Sequence, residues 1–555
     1  MLIIHDPHAP QSRYSHYLAE LLRLEGIMSS QSANLSDLSA TTLIGHDMVV
    51  LPRTTLDRHQ IALLCAYVTT GGTLLALLPD NNLVTALGIT PCYQLIPHGQ
   101  LTVGDTTIVA EPIDVIGPTA IWQVPDDATI VANINQHPAI VSRTIGAGNV
   151  LLYAFDVAYC VARLRQGDPQ YVDLCAAGLD GIYRPSELFV HQLDPQRAHI
   201  PQADLHTALL AHLIMTHAPQ PRIWYYPRAQ QTSTMIMTSD DDWSQVAEFE
   251  ALIAGLARHD AQCTFFLVPQ SRVTPSDITR WQAAGHTFSV HPALAQDIVV
   301  GLATDEPQVR IVAAMLAENI TRHQREYAAP VRTIRQHAVR WLGYVEAARV
   351  LASHGVQLDC NYLAVSPYLG YVCGSGRAVR FVDEHGQIID CFQQPTLWTE
   401  ECLIHPAYVF SFKWEVAHAI AVTDQLIAAA AQRYYTPVTI NSHPVSFATY
   451  SQPLIEANWQ AARRHGMPIV SADTWLDWTT IRDQIRLHCT NGMWMLTTNQ
   501  PLDCLSIIVP PNITASAPTT TVIRWGISVQ VLELHQLAIG THVIGYNITN
   551  ATGTP

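Results

Sequence analysis

The chain has 555 residues, 48% hydrophobic and only 14% charged, with 28 Gly and 34 Pro. Such a composition builds several buried cores and excludes a largely disordered, collagenous or coiled-coil protein. Against 30 Lys+Arg stand 46 Asp+Glu, a net charge of −16, so the basic footprint of a nucleic-acid or anionic-lipid binder is missing.

No apolar run approaches the ~20 residues that cross a bilayer, and domains of roughly 100–200 residues imply three or four units. Met1-Leu2-Ile3-Ile4-His5 enters strand-like sequence with no Lys or Arg before it, which predicts no secretory leader and a cytoplasmic protein. The 11 Cys are odd in number and form no Cys-x-x-Cys pair; reduced, packed thiols are expected rather than a disulfide scaffold.

Up to about residue 215, apolar strands alternate with amphipathic helices. Leu2–His5 is a strand, and Tyr14, Tyr17, Leu18, Leu21 and Leu22 then recur at helical steps until Gly26. Met48–Leu51 is a second strand, 56–68 a helix, 73–78 a third strand and 150–155 another. The alternation predicts a parallel sheet covered on both faces. It resembles the flavodoxin-like domain of class I glutamine amidotransferases, in which a nucleophilic Cys follows the strand equivalent to 73–78. Here that strand runs into Leu77-Leu78-Pro79-Asp80. With no thiol in place, the domain is expected to be non-catalytic and to serve packing or homo-oligomerisation.

Pro219, Pro221 and the aromatic-basic stretch 222–228 mark a boundary. Five strand-like runs beyond it end in polar side chains. Met235-Ile236-Met237 leads into Thr238-Ser239-Asp240-Asp241-Asp242. Three adjacent acids repel one another and need a cation or a purpose, unless Asp242 caps a helix and water takes the rest. Phe288 and Val290 alternate toward His291, Thr333-Ile334 leads to Arg335 and His337, Leu358 to Asp359, and Val438-Thr439-Ile440-Asn441-Ser442 to His443. In a (β/α) barrel the C-terminal strand ends converge on one face, where reacting groups sit. Glu400, Glu401 and His405 form a further polar cluster that lines the same cleft or is plain surface.

These motifs resemble the polysaccharide deacetylase (NodB-homology) family. Thr238 to Asp242 is similar to its Thr-Phe-Asp-Asp-Gly, Thr264-Phe265-Phe266 to its Thr-Phe-Phe, and Gly285-His286 followed by His291-Pro292 to its second motif. Ile334-Arg335 stands for its Phe-Arg, and Ile440-Asn441-Ser442-His443 for its last motif. The resemblance implies Asp240 as general base, Asp241 and His291 as metal ligands, Arg335 as the group orienting Asp240, and His443 as general acid. It also implies a divalent metal, zinc by its ligand types, and a carbohydrate substrate. The family's next ligand, four residues beyond His291, is Ala295 here. Because catalytic zinc takes three N or O ligands, His337 is expected to complete the set, with His286 as the alternative. Asp359 and the aromatic Trp341, Tyr344, Tyr362 and Trp398 are expected near the mouth as sugar-binding groups, or the rings as ordinary core.

The tail from 481 carries short strands at 492–496, 505–509, 522–526, 528–534 and 542–548, the texture of a β-sandwich. The expected architecture is therefore α/β and multidomain: a flavodoxin-like parallel-sheet domain at 1–218, a distorted (β/α) barrel at 229–480 and a small β-sandwich at 481–555. The expected function is a metal-dependent hydrolase removing N-acetyl or other acyl groups from amino-sugar oligo- or polysaccharides, with neither nucleic acid nor membrane as partner. A carbohydrate-binding or scaffolding protein whose barrel has lost its chemistry is the alternative.

Overall fold

The computed structural model describes residues 1–172, 182–293, 308–341, 343–490 and 492–548. Nine strands build the first sheet: β1 (Leu2–His5), β2 (Gln31–Asn34), β3 (Met48–Leu51), β4 (Thr73–Leu77), β5 (Thr90–Val103), β6 (Ile113–Gln123), β7 (Thr129–Ile134), β8 (His137–Ile145) and β9 (Gly148–Tyr153). Their order is β2-β1-β3-β4-β9-β8-β7-β5-β6. The ladders among β2, β1, β3, β4 and β9 are parallel. Strands β1, β3 and β4 are buried at every residue, as parallel strands covered on both faces must be.

The expectation of a wholly parallel sheet is corrected by its other half, where β9, β8, β7, β5 and β6 pair antiparallel. These strands keep one face toward water, and Tyr93 and Leu95 in β5 are 81% and 60% exposed. Their sequence therefore lacks the continuous apolar run that marks a doubly covered strand. At the end of β4, Leu78 has φ +42°. The chain turns sharply there, with a leucine side chain on the turn.

The helix Ser15–Leu24 buries Tyr17, Leu18, Leu21 and Leu22 against this sheet. Gly26 ends it at φ +83°, where a Cβ would collide with the Ile223 backbone. The segment 222–228 is thus more than a linker. Strand β10 (Arg222–Ile223) pairs antiparallel with a strand near the C-terminus.

The second sheet holds β11 (Met235–Asp240), β12 (Thr264–Leu267), β13 (Thr287–Val290), β14 (Thr333–Ile334), β15 (Leu358–Asp359), β16 (Val379–Val382), β17 (Ile388–Gln393), β18 (Trp398–Thr399), β19 (Val438–Ser442) and β20 (Ile469–Ser471). Parallel ladders run from β19 through β11, β12, β13, β14 and β15 to β17. The run 388–399 pairs with β15 through its first half and with β19 through its second. Between the halves, the Thr396 amide donates to Tyr362 O at 2.9 Å and the Leu397 amide to Thr439 O at 2.9 Å. The sheet thereby curls back on itself as a half-barrel of mostly parallel strands, with β16 antiparallel at its edge. At its N-terminal end, Asp473 Oδ2 accepts from the hydroxyls of Thr264, Thr287 and Thr333 at 3.0–3.1 Å, tying three neighbouring strands. The opposite, C-terminal end is left for the polar groups.

The last strands are β21 (Arg486–Thr490), β22 (Met493–Thr498), β23 (Leu502–Val509), β24 (Ile513–Ala515), β25 (Thr519–Arg524), β26 (Ile527–Leu537) and β27 (Gly540–Ile548). They form two four-stranded sheets, β10-β23-β26-β25 and β21-β22-β27-β24. Leu487, Trp494, Leu496, Leu505, Ile507 and Leu532 pack between them, as alternating inward residues of facing sheets do.

Candidate active site

Strand β11 delivers Asp240 to the barrel's C-terminal end, 5% exposed. Its Oδ1 lies 3.2 Å from Arg335 Nη1, and its Oδ2 accepts from Asn441 Nδ2 at 2.9 Å. Arg335 follows β14 and is wholly buried. Its guanidinium also donates to Cys360 O at 3.0 Å, Thr238 Oγ1 at 2.8 Å and Thr396 Oγ1 at 2.6 Å. A planar fork with this many fixed acceptors has one orientation, so the carboxylate it meets is held in place.

The next two acids point in different directions. Asp241 is buried and turned away from the site: it accepts from the Ser244 amide at 3.1 Å and the Val268 amide at 3.3 Å. Burial is the main cause that pushes its carboxyl up to about 6. Asp242 takes the inward place. Its Oδ1 lies 3.3 Å from His291 Nε2 and its Oδ2 3.6 Å from His443 Nε2. Burial opposes its charge, but the imidazoles of His443, His291 and His337 outweigh it and hold the carboxyl well below the usual range. Nor does Asp242 cap the following helix, Val246–Arg258, whose N-cap is Gln245. The inward turn comes from φ values of +43° at Asp242 and +58° at Trp243. Asp tolerates that region better than most side chains.

His291 is 1% exposed, and its Nδ1 is 2.7 Å from Arg335 O. A carbonyl only accepts, so Nδ1 carries a proton and Nε2 is the ring atom that faces Asp242. His337 stands beside it at the start of a short 3₁₀ turn, His337–Val339. Its ring centroid is 5.6 Å from that of His291 and 5.3 Å from that of Trp243. The alternative, His286, sits at the other end of β13 against Phe265, and burial lowers it to about 4. Ala295 lies outside the described residues.

His443 closes the group from β19. Its Nδ1 donates to Glu400 Oε1 at 2.7 Å, and the same oxygen accepts its backbone amide at 3.0 Å. Burial disfavours the imidazolium, but Glu400, Glu401 and Asp242 override it and raise His443 well above its ordinary value. Glu400 is fully buried in the turn of helix after β18. Sequence pattern alone places it in the cleft or on the surface; in the fold it is the carboxylate that orients His443. Its signal was weak, since nothing local ties it to a histidine 43 residues on.

The expected sugar-binding groups are not brought to this face. Trp341, Tyr344, Tyr362 and Trp398 are 2%, 4%, 0% and 0% exposed. The first three pack with Phe381 and Val345 in one apolar cluster. Rings so enclosed offer no face to a ligand. Asp359 is also fully buried, accepting from the Asn361 amide and its Nδ2. Burial pushes its carboxyl up to about 7, against the pull of Asn361 and Arg335.

A carboxyl raised above its unfolded value makes the native state bind the extra proton. Its contribution to stability is whole below about pH 4 and is lost as pH rises toward 7, by about 1.4 kcal/mol for each pK unit of the rise. Asp359→Asn should therefore flatten the decline in stability between pH 5 and pH 8, as read by urea midpoints at both pH values. An unchanged difference between the two midpoints would refute this account of Asp359.

No family model matches the chain, and no curated protein matches it. Among solved structures, an exo-beta-1,4-mannosidase from Opitutaceae bacterium strain TAV5 is similar at 16% identity and TM-score 0.24, over 29% of this chain and 31% of that one. A GH42 beta-galactosidase from G. stearothermophilus is similar at 15% identity and TM-score 0.23, over 28% and 27%. The chain thus spans less than a third of either. A putative polysaccharide deacetylase from Mycobacterium smegmatis is similar at 12% identity and TM-score 0.37, over 48% of this chain and 97% of that one.

Proposed function

We propose that the barrel is a metal-dependent hydrolase that removes N-acetyl or other acyl groups from amino-sugar oligo- or polysaccharides. One observation carries the reading: Asp242 Oδ1 is buried without a hydrogen-bond partner among the described residues, 3.3 Å from His291 Nε2. Two ligands of one tetrahedral zinc, each bound at 2.0–2.1 Å, stand about 3.3–3.4 Å apart. The His291 Nδ1 bond to Arg335 O is the outer-shell contact that prepares Nε2 for a metal. Asp242 and His291 are the pair spaced for one ion. His337, its ring centroid 5.6 Å from that of His291, is the proposed third ligand, although among the described residues these three do not bring one ligand atom each within 4.8 Å of one another.

A divalent ion there supplies Lewis acidity, polarising an acyl carbonyl and making water available as a nucleophile near neutral pH. The protein's own groups do the rest. Arg335 and Asn441 fix Asp240, with both oxygens aimed, to receive the proton of the attacking water. Glu400 fixes His443 through Nδ1, so that Nε2 is the atom that hands a proton to the departing amine.

The test is acetate release by the full chain from N-acetylglucosamine oligomers, after chelation and after return of Zn2+. Release that disappears and returns with the ion is the expected result. Bound metal with no release across acylated glycans would overturn the hydrolase and favour the lapsed, carbohydrate-binding alternative. Glu400→Gln should retain the ion and KM while lowering kcat by up to the roughly 10²–10⁴-fold that a positioned general acid contributes. An unchanged kcat would remove Glu400 from the machinery.

A further inference from the structure

On the C-terminal sheet, Cys504 and His535 face each other across the β23–β26 ladder, and Glu533 precedes His535 by two residues. A strand's side chains alternate, so all three share one face. One ligand atom from each lies within 4.8 Å of the other two. We propose that Cys504, Glu533 and His535 form a second metal site, outside the barrel, for a thiolate-accepting divalent ion of the zinc type.

Three features carry the assignment. His535 Nε2 lies 3.3 Å from Glu533 Oε1, the spacing of two ligands on one tetrahedral ion at about 2.0–2.2 Å from each. The donors are one sulfur, one nitrogen and one oxygen, a set that suits zinc and its borderline-soft neighbours and not calcium or magnesium.

The ligands are also oriented from outside. Glu533 Oε2 accepts the Ala229 amide at 2.7 Å, and the Cys504 thiol donates to Pro227 O at 3.2 Å. These contacts come from the segment that leads from β10 into the barrel; the Glu533 contact persists with a bound ion and holds Ala229 to the sheet, while the Pro227 contact is released with the thiol proton. Binding exchanges the thiol proton for the ion, and the proton leaves to water. His535 is 59% exposed and Cys504 7%; the ion enters from the histidine side and keeps its fourth position toward solvent.

The test uses the full chain stripped of metal and titrated with Co2+, whose bond to a thiolate gives a near-ultraviolet charge-transfer band. The band should appear in the wild type, vanish in Cys504→Ser, and require at least tenfold more Co2+ in His535→Ala, a change at an exposed side chain that leaves the fold intact. Asp242→Asn should leave it untouched, which separates this site from the barrel's. Acetate release should be the same in Cys504→Ser and wild type. No band in the wild type, or a full band in Cys504→Ser, overturns the proposal.

Discussion

Asp242→Asn should lose the metal and the hydrolysis together, while Asp240→Asn keeps the ion and loses about 10²–10⁴-fold in turnover, the range of a general base. Asp241→Asn should keep the ion. The three acids are consecutive, yet their oxygens go to different places. Asp240 meets Arg335 and Asn441, Asp241 meets the Ser244 and Val268 amides, and Asp242 meets His291 and His443. On the proposed assignment, removing the charge of Asp242 would take an anionic donor from the ion itself. Removing that of Asp240 changes what receives a proton and leaves the donor set intact. Metal analysis of the three purified variants, paired with acetate release, reads both effects. Loss of metal from Asp241→Asn with retention in Asp242→Asn would restore the family's usual assignment and refute this one.

Glu25→Ala should lower the stability of the folded chain by about 3–5 kcal/mol, the cost of breaking a buried ion pair from one side. Glu25 follows the first helix and its side chain is 1% exposed. Its Oε2 lies 2.7 Å from Arg222 Nη2 and accepts from the Tyr225 hydroxyl at 2.5 Å. Its Oε1 lies 2.8 Å from Arg377 Nη1 and accepts from the Thr207 hydroxyl at 2.7 Å. One carboxylate thus joins the first sheet's helices, the strand β10 segment and the barrel. Without it, two guanidiniums with side chains 6% and 4% exposed are left without their shared counter-charge. Equilibrium urea unfolding followed by tryptophan fluorescence measures the loss. A change under about 1 kcal/mol, the worth of a surface pair, would mean that water reaches the cluster.

Both expectations depend on side chains whose partners are far away in sequence, and this is where reading the chain alone stops. Strands β1, β3 and β4 were legible because doubly covered strands must be apolar throughout. Strands β5 to β8 were not, because a half-wet strand is sequence-ambiguous. That Asp240, His291, Arg335 and His443 gather at one end of the sheet was legible for a related reason. Each closes an apolar run, and the barrel gathers such ends on one face. The aromatic residues stayed ambiguous for the opposite reason: Trp341 and Tyr362 follow strand ends too, but ring area is as useful to a core as to a sugar site, and the fold puts them in the core.

The sequence by itself determined the alternation of strands and helices, the strand-rich tail, and the set of polar residues that close the strands of the second sheet. Those follow from periodicity and burial, which are local properties of the chain. Only the tertiary structure decided which of three adjacent carboxylates faces the imidazoles. That choice rests on the positive φ of Asp242 and Trp243 and on the Val268 amide that draws Asp241 aside. Only the tertiary structure, likewise, put Glu400 behind His443 and Glu25 between two arginines. A buried charge is placed by partners that arrive from other elements, and no pattern along one element records them.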